Sequence, residues 1–108
     1  MTDVMVNVRE YEGESLRLFL LTDAQQKNYE CLSLDRYSGY GERFTNIKRV
    51  DLRNIVSITM DHQRNNPYII RIVTKDKDPL LEKLIVSTIP SKIEIAKEIV
   101  NNVKKALL

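Results

Sequence analysis

Residues 90–108 read Pro-Ser-Lys-Ile-Glu-Ile-Ala-Lys-Glu-Ile-Val-Asn-Asn-Val-Lys-Lys-Ala-Leu-Leu, and this stretch decides the fold. Ile93, Ala96, Val100, Val103 and Leu107 recur at spacings of three and four, which puts them on one stripe of an amphipathic helix over about 91–107. Ser91 and Glu94 fit the S-x-x-E capping box, in which the serine oxygen accepts from a first-turn amide and the glutamate reaches back. Lys92, Lys97, Lys104 and Lys105 with Glu94 and Glu98 form the solvated face, and the late lysines suit the negative end of the helix dipole. A helix of about four turns spans roughly 22 Å, and its stripe needs a sheet to cover.

The sheet lies upstream. Strand-like segments run from Val4 to Arg9, Leu16 to Leu21, Tyr29 to Arg36, Phe44 to Val50, Ile55 to Met60, Tyr68 to Val73 and Leu84 to Ile89. Leu32 and Leu34 fall on one face of the third segment, with Cys31 and Ser33 on the other. The fourth alternates poorly and reads as short or bulged. In the fifth, Val56, Ile58 and Met60 are assigned to the core, and in the sixth Tyr68, Ile70 and Ile72. Gly13, Gly39-Tyr40-Gly41, Asn54, Asn65-Asn66-Pro67 and Asp76-Lys77-Asp78-Pro79 punctuate the segments as turns. Hairpin-length loops without helical crossovers imply an antiparallel meander. The resulting expectation is mostly β with one α-helix: a seven-stranded antiparallel sandwich or partly open barrel capped by the C-terminal helix.

Composition agrees with one domain over 1–108. At 43% hydrophobic content, 108 residues suffice for a core without metal or disulfide staples. The net charge of +2 argues against a nucleic-acid partner. Residues 1 to 47 hold five Lys/Arg against eight Asp/Glu, and residues 48 to 108 hold twelve against seven, so the chain is polarised from acidic to basic. The single Cys31 and an N-terminus without basic or apolar leader regions favour a reducing, cytoplasmic setting. No apolar run approaches the roughly 20 residues of a transmembrane span, and no linker or repeat interrupts the chain, as expected of an excised or naturally minimal domain.

Arg17-Leu18-Phe19-Leu20-Leu21-Thr22-Asp23, Val50-Asp51-Leu52-Arg53-Asn54-Ile55 and Glu98-Ile99-Val100, in this order of elements, resemble the pleckstrin-homology superfold shared by pleckstrin-homology and phosphotyrosine-binding domains. Ile99 stands where the family helix usually carries tryptophan, which this chain lacks. The resemblance implies a non-catalytic module that binds a protein partner or, as the alternative, a phosphoinositide membrane. The family's phosphoinositide site uses basic residues late in strand one and a basic-x-Arg pattern on strand two. Arg9 and Arg17 match two of these positions, Ser15 replaces another, and Glu10, Glu12 and Glu14 repel phosphate from the connecting loop.

Catalytic chemistry finds no constellation. His62 is the only histidine and stands in a polar loop, Cys31 has no partner base, and Ser33, Ser38 and Ser57 lack a nucleophile elbow. No metal-ligand spacing, dinucleotide fingerprint or phosphate loop is present, so no cofactor is expected. Arg36, Tyr37, Tyr40 and Arg43 interleave two aromatics with two arginines around Gly39 and Gly41, which is the chemistry of protein interfaces. Lys48, Arg49 and Arg53 add a modest basic group that Asp51 dilutes. The sequence therefore predicts an adaptor or scaffold domain that binds protein through the 36–43 loop or through an exposed sheet edge, with peripheral phosphoinositide binding through Arg9 and Arg17 as the alternative.

Overall fold

A computed structural model describes residues 4–10, 15–23, 25, 28–38, 43–62, 68–86 and 89–108. Seven strands form one antiparallel sheet: β1 (Val4–Glu10), β2 (Ser15–Thr22), β3 (Tyr29–Ser38), β4 (Arg43–Asp51), β5 (Ile55–His62), β6 (Tyr68–Thr74) and β7 (Leu84–Val86). The order across the sheet is β4-β3-β2-β1-β7-β6-β5, so consecutive strands pair except where β1 meets β7. The sheet is not closed into a barrel, because β4 and β5 stand at its two ends. One helix, α1 (Pro90–Leu107), follows.

Alternation builds the core. Leu16, Leu18 and Leu20 of β2, Leu32 and Leu34 of β3, Val6 and Val8 of β1, and Ile70 and Ile72 of β6 are buried in a single cluster with Ala96, Ile99, Val100 and Val103 of α1. Cys31 and Ser33 take the opposite face of β3, as the alternation requires. Ile99 is fully buried, while Ile93 is half-buried and Leu107 exposed, so the covering stripe is shifted toward the middle of the helix. The Asn102 amide donates to the Tyr29 hydroxyl at 3.3 Å and ties the helix to β3.

Three local expectations are corrected. Ser91 does not cap α1: Pro90 occupies the first helical position, and Ile89, extended at φ −70° and ψ 123°, is the N-cap without a side-chain bond. Its carbonyl accepts from the amides of Lys92 and Ile93 at 3.0 and 3.1 Å. Proline presets φ and has no amide to satisfy, so the start moves forward and Ser91 falls inside the first turn. Ile89, expected to end the seventh strand, is therefore the cap of the helix; β7 is described over Leu84–Val86, and Ser87 and Thr88 lie outside the described residues. Val56 is 61% exposed instead of facing the core, because the β5–β6 register shifts between Ile55 and Ser57. The bulge puts Ile55, Ile58 and Met60 in phase on the inner side.

The weakly alternating fourth segment is indeed bulged. Leu34 pairs with Lys48 but Asp35 with Asn46, and Ile47 is the extra residue. The Asn46 amide fills the irregularity, donating to the Ser33 hydroxyl at 2.6 Å and the Leu34 carbonyl at 3.1 Å. Between β4 and β5, Asp51 caps a 3₁₀ turn (Leu52–Asn54) by accepting from the Arg53 amide at 2.9 Å. A second 3₁₀ turn (Pro79–Glu82), capped by Asp78, precedes β7. Lys48 joins edge strand β4 to the turn after β6, with its Nζ 3.3 Å from Asp76 and 3.0 Å from Asp78.

If α1 covers the sheet as described, Ile99→Ala should lower the unfolding free energy by about 2–5 kcal/mol in a urea titration. Ser91→Ala should change it by no more than about 0.5 kcal/mol. A loss near 1 kcal/mol at Ser91 would reinstate the capping box.

Candidate functional site

The first candidate surface begins at the free edge of β5. No described strand pairs with its outer side, so its outward backbone groups are available to an added strand. Beside this edge a groove of about 500 Å³ opens between Ser57 and Ile58 of β5 and Asn101, Lys104, Lys105 and Leu107 of α1, with Leu108 at its end. Leu107 continues the core stripe past the last residue that the sheet covers, which makes the groove wall apolar. Lys104 and Lys105 form its rim and make no ion pair among the described residues.

At the far end of the same hairpin, His62 stacks on Tyr68 with ring centroids 4.1 Å apart at 14°. Lys97 lies 5.8 Å from the Tyr68 ring and 3.6 Å from Glu94. This accounts for His62 as a packed partner of the hairpin end.

The second candidate surface is the outer face of β1–β4, turned away from the core. Its rows run Met5–Phe19–Ser33–Arg49 and Asn7–Arg17–Asp35–Asn46 across the four strands. Met5 and Phe44 are each 37% exposed, and Phe19 and Leu21 are half-buried. The Arg17 guanidinium stands 3.2 Å from the Phe44 ring centroid and 5.3 Å from that of Phe19. Asp35 faces Arg17 in register, yet the two form no ion pair. The Arg17 Nε is buried without a hydrogen-bond partner, a state that costs about 1–3 kcal/mol unless stacking offsets it.

The candidates named from sequence separate between these surfaces. Arg9 and Arg17 are diagonal neighbours on the outer face, since Asn7 pairs with Arg17 and Arg9 with Ser15. Arg9 is exposed. Arg36 and Arg43 are exposed on β3 and β4, at register positions opposite Thr45 and Ser38. Tyr37 is paired with Phe44 in the backbone register, while Tyr40 with Gly39 and Gly41 lies outside the described residues, as do Glu12 and Glu14. Among the described residues no group of three or more His, Cys, Asp or Glu is placed to hold a metal ion.

The basic group Lys48, Arg49 and Arg53 is largely neutralised. Lys48 is held by Asp78 and Asp76, and their hydrogen bonds raise its pKa. Arg53 forks onto Asp51, with Nε and Nη2 at 3.2 and 2.9 Å from its two oxygens. Arg49 alone of the three makes no ion pair among the described residues. Sequence reading missed Arg49, Phe44 and Phe19 as a unit. For Phe19 the signal was available, since it alternates with the buried Leu18 and Leu20; for Phe44 it was not, because the bulge at Ile47 sets its face.

The chain matches no protein-family model, no curated protein and no solved structure.

Hydrogen bonds from the Arg53 side chain, then from its amide, hold the Asp51 carboxyl down to about 2 from 3.8. A depressed carboxylate stabilises the folded state above its unfolded pKa, and the contribution disappears as pH falls through the folded value. A carbonyl-detected NMR titration should therefore place the Asp51 midpoint near 2, and Arg53→Ala should return it toward 3.8. An unchanged midpoint in the variant would assign the shift to another cause.

Proposed function

We propose that this chain is a non-catalytic, pleckstrin-homology-like interaction module that takes an extended peptide of a partner protein alongside β5. The free β5 edge opening onto an apolar groove against α1 carries this reading. An added strand satisfies the edge amides and carbonyls, and its alternate side chains point toward the groove. Leu107 and Ile58 suit an apolar anchor there, and Lys104 and Lys105 suit a flanking carboxylate. An adaptor or scaffold role follows from binding without chemistry. The element order, seven antiparallel strands and then a helix, supports the superfold assignment.

The phosphoinositide alternative is less well supported, because Ser15 stands at one of the family's basic positions and Glu10, Glu12 and Glu14 fall in and beside the connecting loop. Sedimentation with phosphoinositide vesicles should show weak binding that salt reduces strongly. Tight, headgroup-selective binding lost in Arg17→Glu would favour the membrane instead.

The direct test is selection from a random-peptide library on the immobilised chain, followed by amide NMR with the selected peptide. Shift changes should concentrate at Ile55–Met60 and Asn101–Leu108, and Leu107→Glu should weaken binding by about tenfold. Changes confined to other faces, or no selected peptide, would overturn the reading.

A further inference from the structure

The outer face of β1–β4 has a concavity of its own, separate from the β5 groove and independent of the function proposed for it. It measures about 360 Å³ and is lined by apolar Phe19, Leu21 and Phe44 and by polar Ser33, Asp35, Asn46 and Arg49. Ser33, Asp35 and Asn46 already partner one another, since Asn46 donates to Ser33 at 2.6 Å and to Asp35 at 3.1 Å.

Cations outnumber unpaired carboxylates among the described residues of this face. Arg9, Arg17 and Arg49 make no ion pair, Asp51 is bound by Arg53, and Asp35, which accepts from the neutral Asn46 amide, is the one carboxylate there without a cation. Arg17 stands over the Phe44 ring at 3.2 Å, with the Phe19 centroid 5.3 Å away, contacts that restrict the guanidinium before any partner arrives. With Nε buried, the two Nη groups are what this guanidinium can offer a carboxylate, and their prior placement lowers the ordering cost. Aromatic residues and arginine around an apolar hollow are the composition of interface anchors.

We propose that this face docks an acidic segment of a partner protein, whose apolar side chain enters the Phe19–Leu21–Phe44 hollow while flanking carboxylates meet Arg17 and Arg49. Concavity favours a protein segment over a membrane, since a bilayer surface offers no side chain to fill the hollow.

The test is fluorescence anisotropy of the intact chain with a labelled probe peptide that has one leucine between runs of aspartate. Matched peptides carry lysine for aspartate or alanine for leucine. The acidic leucine peptide should bind, and both replacements should weaken it by about tenfold or more. Arg49→Glu, at an exposed position, should do the same with an unchanged thermal midpoint, and Arg17→Glu should follow if it remains folded. A Lys104→Glu, Lys105→Glu double variant, which alters the β5 groove, should leave this binding intact. Equal binding of the lysine peptide, or no effect of Arg49→Glu, would overturn the proposal. Loss only in the lysine double variant would move the acidic peptide to the β5 groove.

Discussion

An antiparallel sheet with two open ends and one apolar face must find something to cover that face, and here α1 does so. Ala96, Ile99, Val100 and Val103 close over the strands, and Asn102 fixes the helix to Tyr29. Everything functional follows from how far this cover extends. Because the buried stripe ends at Val103, Leu107 overhangs the sheet and leaves an apolar groove beside β5. A helix that also paired or covered the edge would leave no place for an added strand.

The polar interactions sort the surface as the helix sorts the core. Lys48 bridges to Asp76 and Asp78, and Arg53 to Asp51, so these cations serve the turns around the sheet ends. Other cations make no ion pair among the described residues, including some on the two candidate surfaces. Lys104 and Lys105 stand at the groove, and Arg9, Arg17 and Arg49 on the outer face of β1–β4. Surface ion pairs of this kind contribute little stability. Their consequence is to decide which positive groups are left for a partner.

The helix and the strand series were legible because periodicity reports burial directly: spacings of three and four marked Ala96, Val100 and Val103, and alternation marked Ile70 and Ile72. Local exceptions were not legible. A proline can start a helix one residue ahead of a good capping box, and a bulge at Val56 reverses the phase of a strand without any signature residue. The candidate surfaces depend on cross-strand neighbours, which sequence alone does not supply. Phe44 and Arg17 are 27 residues apart, and only the β2–β3–β4 register brings them together. Arg9 and Arg17 were named from a family pattern, and the register makes them neighbours, yet stacking of Arg17 on Phe44 changes what that pair offers.

The central claim is that β5 presents an unpaired edge beside a helix that stops short of covering it. Amide-resolved hydrogen exchange by NMR tests it most directly, since alternate amides of an edge strand point to its neighbour and to solvent. The account expects alternation along Ile58 to Asp61, with the amides bonded to β6 slow and the outward ones fast. Uniform slow exchange through that stretch would mean that the edge is already covered, and would contradict the account.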